Sequence, residues 1–199
     1  LNGVRMVALD YDAATGNLFA VVHWTEPTAS WTVNISTDGG ESWAETYNWG
    51  TSGWADAVVA DNWLYVGYMF VNDLSQGRIR RFNVVDGVVD SVYGYHVVVD
   101  TDPALIDEIV LFSNADEDDN RIYYVFIEND GSLRAFWDVS SDGTNFVEST
   151  VPSPISNADS GLDSHWNPMS PTTRLTWHSY LGTDNAIHVW RWDQVGWTE

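Results

Sequence analysis

The feature that most constrains the fold of this chain is a two-strand phrase that occurs four times. Each copy opens with a turn residue and an apolar run, and a short polar connection then leads to a second run of strand composition. The apolar runs lie 45, 58 and 53 residues apart, a spacing typical of folds built from repeated supersecondary units. They are NLFAVVHW from Asn17, NWLYVGYMF from Asn62, NRIYYVFIE from Asn120 and TRLTWHSYL from Thr173.

Each pair is flanked by further candidate strands. VRMVALDYD, WADAVVAD, IDEIVLFS and SGLDSHWNP precede the four pairs, and WAETYNW, VVDSVYGYHVVV and NFVESTV follow the first three. Four strands in a unit of about 50 residues are typical of one blade of a β-propeller. The sequence therefore predicts an all-β chain, a β-propeller of four-stranded antiparallel blades with about four blades present.

The repeat also predicts where the blades begin and end. We place them at residues 3–50, 53–100, 105–152 and 160–199, in one propeller domain or in a fragment of a larger propeller. The last unit stops at GWTE, where the alignment calls for another outer strand. We therefore expect that strand to be missing and the chain to be an excerpt of a longer one, with a small, irregularly closed four-bladed ring as the alternative.

Charge excludes several classes of partner. The formal net charge is −21, from 29 acidic residues and 8 basic residues, all of which are arginine. Phosphate recognition requires clustered cations, so we expect neither nucleic acid nor an anionic membrane surface as a partner. No apolar run is long enough to predict membrane insertion. The acidic bias suits a salty or extracellular setting, or a GC-rich genome, and we expect an extracellular or cell-surface location.

A turn motif connects the repeat to a known family. Ser36, Asp38, Gly40 and Trp43 stand in the pattern S-x-D-x-G-x-x-W, between the third and fourth predicted strands of the first unit. This pattern resembles the Asp-box, or BNR repeat, of the sialidase-like propellers. The resemblance implies a structural turn on the outer part of the blade, distant from any catalytic group. A degenerate copy lies at the equivalent place in the third unit, comprising Ser140, Asp142, Gly143 and Phe146.

The resemblance raises the question of sialidase activity. A sialidase would imply six blades, an arginine triad, a Tyr and Glu nucleophile pair and an Asp acid-base. Four units are too few, and Arg5 lacks the following proline of the family's early signature. We assign no catalytic residue. We interpret the arginines, including Arg78, Arg80 and Arg81, as surface or strand-edge cations.

One acidic loop suggests a metal. Asp116, Asp118 and Asn120 place oxygen ligands at alternating positions, as at the start of a calcium loop. The glycine that such a loop requires is absent, because Arg121 follows. A solvated turn is therefore the main interpretation and calcium the alternative, and no other cofactor is indicated.

The 12 tryptophans allow two interpretations. Rings on the repeated strands are expected to fill the space between blades. Rings on loops beside polar residues could instead pack against the flat face of a sugar. Trp49, Trp54 and Trp166 are the candidates for this second role, since they stand in predicted loops or at strand edges.

These observations favour a non-catalytic extracellular or surface module for adhesion, scaffolding or assembly. The expected partner is another protein or a glycan, and open strand edges would favour a homo-oligomer or filament. The alternative is a sialidase-like glycoside hydrolase, of which this chain would be part of the catalytic propeller.

Overall fold

A computed structural model describes residues 3–25, 29–50, 53–70, 73–101, 105–113, 121–149, 158–167, 175–182, 184–192 and 197–198. In these ranges the chain forms sixteen β-strands and no helix. The strands make four antiparallel sheets of four strands each. Accordingly, no helix that could cross a membrane is found in this part of the chain.

Each sheet consists of four strands that are consecutive in sequence, and we call the sheets blades 1 to 4. Blade 1 comprises β1 (Val4–Tyr11), β2 (Leu18–Trp24), β3 (Ser30–Ser36) and β4 (Ala44–Gly50). Blade 2 comprises β5 (Ala55–Ala60), β6 (Trp63–Phe70), β7 (Asp73–Asn83) and β8 (His96–Asp100). Blade 3 comprises β9 (Ile106–Ser113), β10 (Ile122–Glu128), β11 (Leu133–Asp138) and β12 (Phe146–Ser149). Blade 4 comprises β13 (Ala158–Asn167), β14 (Leu175–Gly182), β15 (Ile187–Trp192) and β16 (Trp197–Thr198).

The first strand of each blade is the innermost. Strand β5 adjoins β1, β9 adjoins β5, and β13 adjoins β9, so successive sheets meet along their first strands and pack face to face. This is the blade arrangement that the repeat predicts, and the predicted fold class is confirmed. The runs NLFAVVHW and NRIYYVFIE lie in separate sheets, as the repeat requires.

Apolar cores fill the spaces between successive blades. Every residue of β10 is buried, and so are the six central residues of β6. Side chains of a strand alternate between the two faces of its sheet. These second strands therefore pack against a neighbouring blade on both faces, which explains why their sequences are almost continuously apolar.

Carboxylates satisfy backbone groups on the innermost strands. An Oδ2 atom of Asp10 accepts the N–H of Val59, which lies on the next blade, at 2.5 Å. Asp56 does the same for the N–H of Leu111, at 2.8 Å. Burial raises the pKa of Asp10, and the bond from Val59 partly offsets this effect. The inner edge of a sheet has unpaired N–H groups, and these acids pair two of them.

The structure corrects two details of the sequence prediction. The fourth strand of blade 2 was expected to begin at Val88, but β8 begins at His96. Asp86 and Asp90 accept backbone N–H groups two residues ahead of themselves, which bends the intervening chain into turns. The outer strand expected to be missing from blade 4 is present as β16, which pairs with β15.

Candidate functional site

The outer parts of blades 1 and 2 bring cations and aromatic rings together. Strand β4 provides two rings of this cluster, β6 ends in a third, and a fourth directly precedes β8. Strand β7 provides two arginines two residues apart, so both side chains lie on the face that looks toward blade 1. We call this surface the arginine patch, and it consists of Tyr47, Trp49, Phe70, Arg78, Arg80 and Tyr95.

Arg78 is held between two rings. Its Cζ atom lies 3.4 Å from the ring centroid of Phe70 and 4.4 Å from that of Tyr95. Its Nε and Nη2 atoms donate to Oε1 of Gln76, at 3.1 and 2.7 Å. Gln76 in turn donates to Oδ2 of Asp100 at 3.0 Å. The side-chain amide of Gln76 therefore separates the guanidinium of Arg78 from the carboxylate of Asp100.

Arg80 is held by two phenol groups. Its Nε donates to the hydroxyl of Tyr68 at 3.1 Å, and its Nη1 donates to that of Tyr47 at 2.7 Å. Its Cζ atom lies 5.8 Å from the ring centroid of Tyr95. Partial burial lowers the pKa of Arg80, but the bond to Tyr68 and the phenol dipoles outweigh burial and raise it. The guanidinium is therefore positively charged at every physiological pH.

Two other arginines in the described part of the chain have carboxylate partners. Arg81 contacts Asp90 at 2.8 Å, and Arg134 contacts Glu128 and Glu148 at 3.0 and 2.7 Å. Within the same described residues, no carboxylate lies within salt-bridge distance of Arg78 or Arg80. The patch is therefore a local positive site on a chain whose net charge is −21.

Trp49 is supported by an aromatic stack within blade 1. The rings of His23, Trp31 and Trp49 lie on neighbouring strands, with centroids 4.7 Å and then 6.3 Å apart. Trp31 is fully buried, which fixes the middle of the stack. Trp49 then contacts Tyr47 and Tyr68, each with a centroid separation of 5.9 Å. This rigid support places one of the three tryptophans singled out from the sequence in the arginine patch.

Trp54, the second candidate tryptophan, is not part of this patch. Trp54 packs against the core between blades 2 and 3, and its carbonyl accepts the N–H of Met69 at 3.1 Å. The third candidate, Trp166, lies on β13 of blade 4.

The candidate calcium ligands Asp116, Asp118 and Asn120 lie outside the described residues. Among the residues that are described, no group of three or more His, Cys, Asp or Glu side chains could hold a metal ion. Calcium binding by this loop stays a prediction.

The turn that follows β3 is organised by Ser36 and Asp38. Oγ of Ser36 accepts the N–H of Gly40 at 2.8 Å and donates to Oδ1 of Asp38 at 2.8 Å. Asp38 also accepts the N–H and hydroxyl of Ser42. Hydrogen bonds from Ser42, and then from Ser36, lower the pKa of Asp38 to about 2. Trp43 covers the turn by donating its indole N–H to the carbonyl of Gly40.

The turn that follows β11 has a different centre. Its buried acid is Asp138, the last residue of β11, which accepts the N–H groups of Ser140 and Gly143. Ser140 donates to Asp142 at 2.6 Å, as Ser36 does to Asp38 in blade 1. Phe146 begins β12 and packs against the core between blades 2 and 3.

This second turn is docked on blade 2. The hydroxyl of Tyr93 donates to the carbonyl of Gly143, and Nη1 of Arg81 donates to the carbonyl of Asp142 at 3.3 Å. A Cβ atom on Gly143 would lie 2.6 Å from Cε1 of Tyr65. The turn therefore contributes to the contact between two blades.

Sequence reasoning missed the arginine patch and the role of Asp138. The run RIRR was visible, but its arginines were interpreted as surface or strand-edge cations. Their partners come from β4, β6 and the segment before β8, which are distant in sequence. The one sequence signal for this patch was the run RIRR, in which arginine alternates with an apolar residue on a predicted strand.

Comparison with known proteins identifies the fold of this chain but assigns it to no family. No family model and no curated protein sequence matches the chain. Solved structures do match. The lectin of Aleuria aurantia, in complex with Fucα1-6GlcNAc, has a TM-score of 0.62 and 10% sequence identity, and the match covers 96% of this chain and 59% of the lectin. The fold is that of a β-propeller.

Two enzymes show the same likeness. A GH43 glycoside hydrolase engineered for endo-xylanase and exo-arabinofuranosidase activity has a TM-score of 0.61 and 11% identity, covering 98% of this chain and 39% of the enzyme. A PL25 ulvan lyase bound to -[GlcA(1-4)Rha3S]- has a TM-score of 0.59 and 11% identity, covering 94% and 52%. The propeller of this chain spans 39% to 59% of the lengths of these three proteins.

Proposed function

We propose that this chain is a non-catalytic β-propeller module that binds a glycan at the arginine patch. The observation that carries the proposal is the position of Arg78 between the rings of Phe70 and Tyr95. Tyr47, which contacts Trp49, joins this group by accepting a hydrogen bond from Arg80. Tyr95 is 46% exposed, so part of its side chain is accessible to a ligand from solvent.

The chemistry of the patch suits a sugar. An aromatic ring packs against the apolar face of a pyranose, while guanidinium and phenol groups bond to its hydroxyls. The patch provides both kinds of group within one surface. The solved structures with this fold include a lectin in complex with a fucosylated sugar and a lyase with an acidic one, which supports a glycan as the partner.

A sialidase-like hydrolase is the alternative function. It would require arginines and free carboxylates around the innermost strands. The arginines with described side chains lie on β7 and β11 or just before β10, and Asp10 and Asp56 are engaged with backbone N–H groups. These positions favour binding over catalysis.

The motif of Ser36, Asp38, Gly40 and Trp43 fits an Asp-box turn, and we assign it a structural role. Its hydrogen bonds all lie within the turn, and its position between the third and fourth strands is distant from the innermost strand. The related turn of Ser140, Asp142 and Gly143 joins blades 2 and 3. An extracellular or cell-surface location suits a glycan-binding module of this kind.

Assembly is a second candidate function, and two exposed apolar faces favour it. On blade 1, Val7, Leu9 and Tyr11 are 49%, 67% and 51% exposed, on the side opposite Ala8, which packs toward blade 2. On blade 4, Ile187 and Val189 are 77% and 44% exposed, on the side opposite Tyr180, which packs toward blade 3.

Within the chain, each blade packs one such face against the opposite face of the next blade. The exposed face of blade 4 is equivalent to the faces that pack against a following blade, and the exposed face of blade 1 is equivalent to those that pack against a preceding blade. Blade 4 of one copy could therefore pack against blade 1 of a second copy in a head-to-tail contact. Light scattering should show concentration-dependent oligomers that Leu9→Arg abolishes. A wild-type chain that is monomeric at every concentration would exclude this candidate.

A glycan array tests the primary function. The wild-type chain should bind at least one class of glycan, and Tyr95→Ala should weaken that binding. Val92→Ala is the matched control, because Val92 is 96% exposed, lies near Tyr95 in sequence and is outside the patch. Equal binding by all three proteins would contradict the assignment of the patch.

A further inference from the structure

We infer that the glycan held at the arginine patch carries an anionic group, the carboxylate of a uronic acid or a sulfate ester, which Arg78 and Arg80 bind together. This inference rests on the proposed function and specifies its ligand class. It follows from the charge, the contacts and the free donors of the two arginines.

The first argument is charge. Both guanidinium groups lie within 6 Å of the ring centroid of Tyr95, at 4.4 and 5.8 Å, so two like charges lie near one ring. Like charges this close repel each other. The groups that hold them are rings, phenols and the Gln76 amide, none of which carries a negative charge. A ligand anion in contact with both guanidinium groups would offset this repulsion.

The second argument is hydrogen bonding. A guanidinium has five N–H donors. Arg78 uses Nε and one donor of Nη2, and Arg80 uses Nε and one donor of Nη1. Three donors on each side chain have no hydrogen-bond partner among the described residues. Carboxylate and sulfate oxygens accept such donors in pairs, which is the geometry that a planar guanidinium favours.

The third argument is rigidity. Both arginines are fixed before any ligand arrives, Arg78 by the ring of Phe70 at 3.4 Å and Arg80 by the hydroxyls of Tyr68 and Tyr47. A preorganised site loses little side-chain entropy on binding.

Calorimetry with matched ligand pairs tests the inference on the 199-residue chain. One pair is tetragalacturonate and its methyl ester, and the other is a sulfated galactan oligosaccharide and its desulfated form. We expect at least one charged ligand to bind about tenfold or more tightly than its neutral partner, which is the range of a charge-assisted hydrogen bond. The pair that shows the difference identifies carboxylate or sulfate.

Two arginine variants locate the effect. Arg78→Gln should remove most of the preference for the charged ligand. Arg134→Gln is the matched control, since Arg134 lies on a third strand as Arg78 does but is already paired with two glutamates. It should keep the preference. Thermal unfolding of each variant verifies that it is folded.

The outcomes separate the two proposals. Equal binding of charged and neutral ligands, or a preference that survives Arg78→Gln, would overturn the anionic ligand while leaving glycan binding intact. Failure of the glycan array and of all four ligands to show binding would overturn the proposed function itself, and the anionic ligand with it.

Discussion

The hydroxyl of Tyr124 lies 2.7 Å from the point at which a Cβ atom on Gly77 would stand. A Cβ on Gly67 would lie 2.8 Å from Cε2 of the same ring. Tyr124 belongs to blade 3 and both glycines belong to blade 2. The ring is fully buried and packs directly against the backbone of the neighbouring sheet. The absence of two side chains therefore sets how closely these blades approach.

Gly77→Ala should destabilise the fold by about 1–3 kcal/mol, the usual effect of overpacking a core. Part of this loss should be recovered in Gly77→Ala/Tyr124→Phe, because the second change removes the oxygen that the new methyl group meets. Urea unfolding of the two single variants and the double variant measures the coupling. Additive effects of the two changes would contradict the predicted contact.

Tyr124→Phe alone should leave the free energy of unfolding unchanged or raise it. The hydroxyl of Tyr124 is buried and has no hydrogen-bond partner in the described ranges of the chain, and burial raises its pKa well above the ordinary value. Removing an unpaired buried polar group removes its desolvation penalty. A loss of more than about 1 kcal/mol in urea unfolding would show that the hydroxyl has a partner.

The contribution of Asp38 to stability should depend on pH. Its pKa falls from 3.8 to about 2 in the folded chain, chiefly because Ser42 donates two hydrogen bonds to the carboxylate. A lowered folded-state pKa stabilises the fold above the unfolded value, and this contribution disappears as pH falls through the folded value. Asp38→Ala should therefore be less stable than wild type at pH 5.

Free energies of unfolding at pH 5, 3 and 2 test this dependence. The difference between Asp38→Ala and wild type should narrow steadily between pH 4 and pH 2. Glu41→Ala, in the same turn, is the control. A difference that stays constant over this range would show that the carboxylate charge of Asp38 does not stabilise the turn.

Asp138→Ala should destabilise the chain by about 1–3 kcal/mol, because it leaves the buried N–H of Gly143 without its partner. Asp130→Ala is the control from the same blade, where one exposed bond to the N–H of Ser132 is lost. That change should cost less than about 1 kcal/mol. Equal losses in urea unfolding would mean that Asp138 does not organise the turn.

The repeat in the sequence was sufficient to predict the blades. The apolar run from Asn120 is buried along the whole of β10, and the turn at Ser36 lies between the third and fourth strands, as expected. Strand length was harder to predict. Val88 and Val89 have strand composition, but the carboxylates of Asp86 and Asp90 bind the backbone in this segment and favour turns over a longer β8.

The arginine patch could not be predicted from the sequence, for a different reason. Arg80 meets Tyr47, which is 33 positions away and on another blade. The contact between these two side chains depends on how blades 1 and 2 pack against each other, which the sequence does not show. Trp49 could be identified from the sequence because it is a tryptophan at a strand edge. Tyr95 could not, because only its contacts with the two arginines mark it as part of a site.

The most direct test of the central claim is an NMR titration of the chain with the strongest glycan from the array. Amide and side-chain N–H resonances of Trp49, Arg78, Arg80 and Tyr95 should shift together and saturate at one ligand per chain. If the shifts instead centre on Asp56 and the innermost strands while these four residues stay unchanged, the arginine patch is not the glycan-binding site.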